Sequence, residues 1–314
     1  MRNFKNNALS VLSSVCIAIV TFQLVSCDAR TKRIAAAVVN TKDEIYQQIE
    51  DRGINDVAKG DKAFEGDMPS GQTQSYEIPT STDSDNWIVL RRKGYTTAYN
   101  SEARIPFWVA WHLTREHTEG NVKRPRKAFH EDDDVDYPKA TDDDYYNSGY
   151  DRGHMCPAAD NKWDARAMTE CFYMSNMCPQ LHELNAGGWE TLEAACRRWA
   201  KQEGSLLIVC GPVYDQEVKA RQGQRSTRRM KSIGKEHRID VPTGFFKCVM
   251  SLRKGHEKAI GFYYANTDAR QTMESACMSV DEVESLTGYD FFVNVPSDLE
   301  ERLEAECSRY FLSL

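Results

Sequence analysis

Apolar, branched and aromatic residues occur along this chain mainly in short runs that turn-forming residues separate, and such runs predict β-strands. The runs at 87–90 and 95–99 form a first pair, and 206–210 is an uninterrupted apolar run that ends at a Gly-Pro turn. Further strands are predicted at 107–113, 245–252 and 260–264. Strands throughout, with helices between them, indicate an α+β fold with a mixed, mainly antiparallel sheet and packed helices.

The longest predicted helix runs from Asn185 to Lys201. Trp189, Leu192, Cys196 and Trp199 recur in it at spacings of three and four residues. Residues at those spacings share one face of a helix, so we expect an apolar face packed against the sheet.

Two shorter helices are predicted near the C-terminus, at 280–286 and 297–307. Ser279 and Ser297 stand where these helices begin, and each serine is followed three residues later by a glutamate. Serine and glutamate at this spacing form a capping box, in which two backbone N–H groups receive side-chain partners. We therefore expect both serines to be N-caps.

The N-terminus has the organisation of a secretion signal, with two basic residues before the apolar segment Leu9 to Val25. That segment is marginal in length for a permanent transmembrane helix. It ends in Leu24-Val25-Ser26-Cys27, which resembles a bacterial lipobox, so Cys27 would be the lipid-modified residue. An ordinary cleaved signal with a chance cysteine is the alternative. Both interpretations export the protein, the first to a lipid anchor on the periplasmic or cell-surface side of a bacterial membrane.

These patterns divide the chain into three parts. Residues 1–27 are the predicted lipoprotein-type signal peptide. Residues 28–85 are predicted to be a tether and linker, because their second half is dense in Gly, Ser, Thr, Pro and Asp. The folded body is predicted to occupy residues 86–314.

Composition sets limits on this picture. A chain of 314 residues with 41% hydrophobic residues can bury a sizeable core, and 28% charged residues argue against disorder. The net charge of −7 is a mild objection to a nucleic-acid partner, although a local basic surface can bind a polyanion on an acidic protein. Outside Cys16 and Cys27 the cysteines form an even set, which suggests disulfides in an exported protein, although some can be buried apolar groups.

Two motifs carry candidate chemistry. Asp151-Arg152-Gly153-His154 places a carboxylate, a guanidinium and an imidazole around a glycine that permits a sharp turn. Leu184-Asn185-Ala186-Gly187-Gly188-Trp189 then opens the long helix, and Glu193 follows it. A base, a phosphate-sized cation and an oxygen ligand for a hard metal ion are the parts needed to cut a phosphodiester.

The order and spacing of these motifs resemble the DNA/RNA non-specific endonuclease family, over roughly residues 86 to 310. The supporting matches are Trp108–Thr114, Ser175–Gln180, Val241–Lys247 and Thr287–Phe292. The resemblance implies a ββα-metal catalytic core. It also implies a metal-dependent endonuclease that hydrolyses phosphodiester bonds of DNA, RNA or both with little sequence specificity.

The resemblance assigns His154 as the general base and Asn185 as the direct ligand of a single Mg²⁺, with Mn²⁺ or another divalent cation as alternatives. An imidazole has an unperturbed pKa of about 6.5 and can accept a proton from water near neutral pH. Magnesium prefers oxygen ligands and keeps several waters. Glu193 lies about 12 Å beyond Asn185 by helical rise, so it would act through water. The implied products carry 5′-phosphate and 3′-hydroxyl ends.

Arg152 is expected to hold the scissile phosphate through bidentate donation. A second phosphate-binding arginine is expected upstream, where Arg126 is preferred and Arg124 stays open as an alternative. Asp151 is expected to orient the loop or Arg152. Asn176 is expected to support the site through hydrogen bonds from behind the reacting groups.

Each assignment has a structural alternative: His154 as a satisfied core histidine, Asn185 as a helix N-cap, and Glu193 as an exposed surface charge. Two other functions also stay open. One is a catalytically silent nucleic-acid-binding surface lipoprotein of the same fold. The other is a thiol hydrolase that pairs Cys156 or Cys178 with His154. Loss of activity with EDTA, together with insensitivity to alkylating agents, would favour the nuclease.

Between Lys219 and Arg238 eight basic side chains stand against one acidic side chain. This stretch, with Arg228 and Arg229, could track a phosphate backbone. The alternative is a solvated loop that balances the acidic tracts Glu131–Asp136 and Asp142–Asp144. The sequence does not separate these interpretations, nor DNA from RNA as substrate, nor a monomer from a homodimer.

Overall fold

A seven-stranded sheet forms the centre of the structure, which is a computed structural model. The residues it describes are 75–82, 87–215, 231–235 and 237–313. They all lie in one compact unit of the chain. The predicted signal peptide with Cys27, most of the predicted tether, and Arg228 and Arg229 fall outside the described residues.

All strands of the sheet pair antiparallel with their neighbours. In spatial order they are β1 (Ile88–Arg91), β2 (Thr96–Asn100), β3 (Ile105–Thr114), β6 (Ser205–Val213), β9 (Gly244–Ser251), β10 (Lys258–Ala265) and β11 (Cys277–Met278). The sequence predicted all of these except the two-residue β11. The predicted antiparallel sheet is therefore confirmed.

The sheet is buried on both faces, and strand β9 shows how its residues divide. Phe245 and Val249 belong to the core cluster on one face, whereas Phe246 and Met250 belong to the cluster on the other. Alternate residues of a strand point to opposite faces, so a strand that is apolar at nearly every position needs cover on both sides.

Helices supply that cover. They are α1 (Asp142–Tyr145), α2 (Ala165–Glu170), α3 (Glu190–Glu203), α4 (Met273–Ala276), α5 (Val280–Thr287), α6 (Ser297–Glu304) and α7 (Tyr310–Ser313). Helix α3 covers one face. The predicted apolar positions are Trp189, at the N-cap of α3, and Leu192, Cys196 and Trp199 within it, and each is at most 1% exposed. Helices α5 and α6 pack on the opposite face.

A small two-stranded sheet precedes α3 in the chain. Strand β4 (Asp151–His154) pairs antiparallel with β5 (Met177–Gln180), and a π-helical turn (Leu184–Trp189) then leads into α3. A second small sheet joins β7 (Lys231–Ile233) and β8 (Ile239–Val241). The predicted ββα arrangement is therefore present.

Gly153 lies within β4 and pairs with Cys178, so the predicted sharp turn at this glycine is wrong. The reason for a glycine here is close approach. A Cβ atom at position 153 would overlap the buried side chain of Gln180, which lies diagonally opposite on β5.

The two predicted serine caps have different outcomes. Ser279 caps α5: its Oγ accepts a hydrogen bond from Glu282 N (3.1 Å), and Glu282 Oε2 accepts one from Ser279 N (2.8 Å). The predicted cap at Ser297 is wrong, because Pro296 occupies the N-cap position of α6 and no side chain caps this helix. The chain enters α6 one residue earlier than predicted, at a proline whose φ is −52°.

The folded body begins before residue 86. Thr80 exchanges two backbone hydrogen bonds with Asp290 (2.8 and 2.9 Å), and Tyr76 and Ile78 pack against the core cluster beneath α5 and α6. Part of the segment predicted as linker thus contributes to the domain. Among the residues that the structure describes, no helix is both long and apolar enough to cross a membrane.

The eight cysteines outside the predicted signal peptide are all described and are all free thiols. Cys277 and Cys307 are half-buried, and the other six are buried. The buried thiols act as small apolar core groups, the second of the two roles considered from the sequence.

Ser279→Ala is expected to lower the free energy of unfolding by about 1 kcal/mol, because α5 loses its cap. Ser297→Ala is the matched control and is expected to change it by less than about 0.5 kcal/mol, because Ser297 does not cap α6. Urea unfolding followed by circular dichroism measures both values. Equal losses in the two variants would contradict the different capping of these helices.

Candidate active site

Two hydrogen bonds join strand β4 to the helix that follows β5. Trp189 Nε1 donates to the carbonyl oxygen of His154 (3.1 Å), and Asn185 Nδ2 donates to Asp151 Oδ2 (3.0 Å). Trp189 is itself buried under the sheet. The predicted base and the predicted metal ligand are thereby attached to one frame of two strands and a helix.

The imidazole of His154 lies among aromatic rings. Its centroid is 4.9 Å from that of Phe172, in a T-shaped arrangement, and 5.7 Å from that of Phe129. Its Nε2 atom is enclosed and has no hydrogen-bond partner among the described residues. Burial, followed by the positive charge of Arg124, lowers the pKa of His154 to about 3. The ring is therefore neutral at physiological pH, and it is not a satisfied core histidine.

Two guanidinium groups lie beside the same rings. Arg124 Cζ is 4.7 Å from the ring centroid of Phe172 and 5.0 Å from that of Phe129. Arg152 Cζ is 5.1 Å from the Phe129 centroid. Phe129 therefore places both cations close to the imidazole. Arg126 is exposed further along the same loop.

Arg152 is held by the acidic tract that precedes the motif. Its Nε pairs with Asp142 Oδ1, and its Nη2 donates to the Asp142 carbonyl oxygen (3.3 Å). The Asp142 side chain is 51% exposed, so water screens this pair and its net contribution is about 0–1 kcal/mol. A phosphate group could replace the carboxylate at little cost.

One carboxylate oxygen organises the opposite side of the site. Besides the Asn185 amide, Asp151 Oδ2 accepts a hydrogen bond from His182 Nδ1 (2.8 Å), and this contact raises the pKa of His182. Sequence reasoning gave His182 no role. Asn185 lies inside the π-helical turn, whose N-cap position is Glu183, so the N-cap alternative for Asn185 is wrong. With Nδ2 bonded to Asp151, Asn185 Oδ1 is the atom that can bind a cation.

Asn176 is fully buried and holds the chain immediately after β4. Its Oδ1 accepts a hydrogen bond from Cys156 N (3.0 Å), and its Nδ2 donates to the carbonyl oxygens of Cys156 (2.9 Å) and Cys171 (2.8 Å). Its own carbonyl oxygen accepts from Met155 N (3.0 Å). These bonds fix the two residues that follow His154.

Glu193 lies on α3 beside a buried group of charges. Lys247 on β9 is fully buried, and its Nζ lies 4.3 Å from the ring centroid of Trp189. Asp160, also buried, accepts a hydrogen bond from Arg197 Nη1 (3.0 Å). Burial raises the pKa of Glu193 to about 7, and the charge of Lys247 opposes that rise. Glu193 is therefore not the exposed surface charge that was the alternative.

From the sequence we did not identify three residues that surround Glu193 and His154, namely Lys247, Phe129 and Phe172. Lys247 did carry a signal, since a lysine inside the apolar run of β9 alternates with Phe245 and Val249 and must point into the core. No sequence signal pointed to Phe129 or Phe172, because they belong to separate segments that only the fold brings to His154.

The buried thiols argue against the hydrolase that would use cysteine. Cys156 and Cys178 are both fully buried, and burial raises the pKa of each well above its ordinary value. A cysteine nucleophile must be a thiolate in an electropositive, partly exposed place. Neither thiol meets that requirement.

A cleft next to Arg124 is lined in part by residues 120–124, Lys162 and Met168. The side chains of Lys123, Arg124 and Lys162 are exposed. Three cations along one cleft make a surface that attracts a polyanion, despite the net negative charge of the chain.

Residues 70–298 match the family model described as DNA/RNA non-specific endonuclease. Mitochondrial endonuclease G of Bos taurus is 32% identical over 208 residues, which are 65% of this chain and 69% of that protein. A nuclease of Nostoc sp. is 31% identical over 253 residues, 76% of this chain and 83% of that protein. A chain in the crystal structure of the EndoG/EndoGI complex superposes with a TM-score of 0.61 and 28% identity, over 67% of this chain and 88% of that chain.

The two site histidines are expected to titrate differently in an NMR experiment on protein with labelled imidazoles. His154 should stay neutral well below pH 6.5, with a midpoint near pH 3, whereas His182 should titrate above 6.5 because of Asp151. In the unfolded chain the pKa of this histidine is about 6.5. Between pH 6.5 and pH 3 the unfolded chain therefore binds a proton at residue 154 that the folded protein does not bind. The neutral His154 thus makes the folded state less stable as the pH falls through this range. A His154 midpoint at or above 6.5 would contradict this environment.

Proposed function

The chain belongs to the DNA/RNA non-specific endonuclease family, and from that membership we propose that His154 and one divalent metal ion at Asn185 carry its hydrolysis of phosphodiester bonds. As a member of this family it is a hydrolase that acts on ester bonds of nucleic acids. The observation that most supports the assignment of His154 and Asn185 is the hydrogen bond from Asn185 to Asp151. Asp151 begins the strand that ends at His154.

The residues present suit a hard divalent cation such as Mg²⁺. Asp151 holds the amide nitrogen of Asn185, which leaves the neutral oxygen Oδ1 as the ligand. Mg²⁺ binds through few protein oxygens and keeps several waters, so one amide oxygen is a sufficient anchor when substrate phosphate supplies others. When bound, the ion would neutralise charge that develops on the phosphate and the departing oxygen. Mn²⁺ has the same ligand preference.

His154 supplies the proton acceptor in this proposal. Its ring is neutral and partly exposed, so it can accept a proton from an attacking water. Attack by water with departure of the 3′ oxygen leaves a 5′-phosphate and a 3′-hydroxyl. The substrate phosphate, being negative, would raise the basicity of the ring by offsetting the charge of Arg124.

Arg124 and Arg152 are proposed to hold the scissile phosphate. Both guanidinium groups lie over Phe129, next to the imidazole, and Arg152 would exchange its Asp142 partner for the phosphate. This position favours Arg124 over Arg126 as the second arginine. Glu193, held on α3 near Lys247, is proposed to act on the metal-bound waters rather than on the ion itself.

We infer the wider substrate-binding surface from the positions of the basic side chains. The cleft with Lys123 and Lys162 continues the positive surface beyond Arg124. Arg228 and Arg229, which lie outside the described residues, are proposed from the sequence to bind phosphate as well. Contacts to phosphate carry little sequence information, which suits a nuclease without sequence preference for DNA, RNA or both.

Export and a lipid anchor at Cys27 are proposed from the sequence signal alone. A lipid on Cys27 would leave the folded body tethered by the segment from residue 28 to the Thr80–Asp290 contact. Such a tether would place the active site outside the cytoplasm, on the periplasmic or cell-surface side of the membrane. A homodimer is compatible with this arrangement.

His154→Ala is expected to reduce plasmid cleavage by about 10²–10⁴-fold while DNA binding stays within a few fold, because the base is lost and the arginines remain. His256→Ala, in an exposed turn, is the control and should cleave normally. A nicking assay with Mg²⁺ or EDTA, run beside a filter-binding assay, measures both properties. Binding without Mg²⁺-dependent cleavage in the wild type would instead support a silent nucleic-acid-binding protein.

Asp151→Ala is expected to raise the Mg²⁺ concentration for half-maximal cleavage by about 10–100-fold, because Asn185 loses the partner that orients its amide. The rate at saturating Mg²⁺ should fall less. His182→Ala removes the other partner of Asp151 and serves as the control, with a shift below about threefold. Equal shifts in both variants would mean that Asp151 acts through its contact with His182 rather than through Asn185.

A further inference from the structure

Helices α5 and α6 bring three carboxylates together on the sheet face opposite α3. They belong to Asp281, Glu284 and Glu304, and one oxygen of each lies within 4.8 Å of the other two. Residues that flank them, Val283 on α5 and Leu303 on α6, pack into the core cluster of that face. The group is therefore separated from Asn185 by the full thickness of the sheet.

The burial of Glu304 distinguishes this cluster from a group of exposed acidic side chains. The residue is 5% exposed, and its Oε1 atom is enclosed with no hydrogen-bond partner among the described residues. Glu284, half-buried, is oriented by the backbone N–H of Phe291, which donates to its Oε1 (2.8 Å). A buried carboxylate without a donor is costly, and a second carboxylate beside it raises the cost further.

The charged groups that act on Glu304 are carboxylates, so they add to the cost of ionising it. After burial, the groups that most perturb Glu304 are the carboxylates of Glu284, Glu300, Asp290 and Asp281, and together they raise the Glu304 pKa to about 9. The pKa of Glu284 is raised to about 8, mainly by burial. Either protons or a cation must compensate such a group.

We propose that Asp281, Glu284 and Glu304 form a Ca²⁺ site that joins α5 to α6. Ca²⁺ takes six to eight oxygen ligands at about 2.3–2.6 Å, so oxygens that share one ion lie within about 5 Å of each other. The 4.8 Å spread of the three oxygens satisfies that limit. Asp281 is exposed, which leaves the remaining coordination positions open to water.

Calcium suits this site better than magnesium. Mg²⁺ demands near-ideal octahedral geometry at about 2.0–2.1 Å, and it dehydrates reluctantly. Ca²⁺ tolerates irregular geometry and bidentate carboxylates, which three side chains on two packed helices can provide. The proposed role is structural, because neither helix contributes to the catalytic frame.

The test uses the full chain carrying Asn185→Ala, so that the proposed catalytic ion is removed from the comparison. Thermal unfolding is followed while Ca²⁺ is titrated, with Mg²⁺ in a parallel series. At ten times its dissociation constant Ca²⁺ should raise Tm by about 3–6 °C. Isothermal titration calorimetry on the same protein should show one Ca²⁺ site, with Mg²⁺ weaker by at least about tenfold.

Variants then locate the site. Glu304→Gln is expected to abolish the Ca²⁺-dependent rise, because a neutral amide replaces the carboxylate that Ca²⁺ would bind. Glu301→Gln, an exposed glutamate on the same helix, is the matched control and should keep the full response. Asp281→Asn, which is exposed and should not perturb folding, is expected to weaken Ca²⁺ binding about tenfold.

Three results would overturn the proposal: no Ca²⁺-dependent change in Tm or heat, an undiminished response in both Glu304→Gln and Asp281→Asn, or equal binding of Mg²⁺. A protein that is stabilised by lower pH but not by Ca²⁺ would show that shared protons, and not a cation, compensate these carboxylates. Because Asn185 is absent throughout, none of these results depends on the nuclease mechanism.

Discussion

The site depends on the distance between strand β4 and the helix that follows β5, and two hydrogen bonds set that distance. The Trp189 indole holds the backbone of His154, and the Asp151 carboxylate holds the Asn185 amide. Both bonds connect β4 to the π-helical turn, so they fix the position of His154 relative to Asn185. The large sheet supports this frame by burying Trp189 against Phe245 and Tyr264.

Burial and charge both lower the pKa of His154. The rings of Phe129 and Phe172 remove water from His154, and Arg124 adds a positive charge, so the imidazole is neutral before substrate arrives. In the proposed mechanism, the same arginine would attract the substrate phosphate. A bound phosphate would therefore reverse the electrostatic effect at the moment when a stronger base is useful. In the proposed mechanism, phosphate binding and the basicity of His154 would therefore depend on one set of residues.

Local chemistry explains what the sequence could predict. Short apolar runs and helical spacing are enough to place the strands and the apolar face of α3. The spacing of Ser279 and Glu282 predicted one cap, whereas the same spacing of Ser297 and Glu300 did not, because Pro296 takes the N-cap position there. Prediction failed where a distant group decides the structure. Gly153 is explained by Gln180 across the strand pair and not by a turn, and the aromatic enclosure of His154 unites segments that no spacing rule connects. The pattern of β9 indicates that Lys247 is buried, but it does not indicate that Lys247 lies against the Trp189 ring.

A crystal structure of the His154→Ala protein with Mg²⁺ and a short DNA duplex tests the central claim most directly, because the substrate would remain uncut. The account predicts the cation on Asn185 Oδ1 as its one direct protein ligand. It also predicts a phosphate that lies between that cation and position 154, with Arg124 and Arg152 on its oxygens. A cation bound elsewhere, or a phosphate that does not lie between residues 154 and 185, would contradict it.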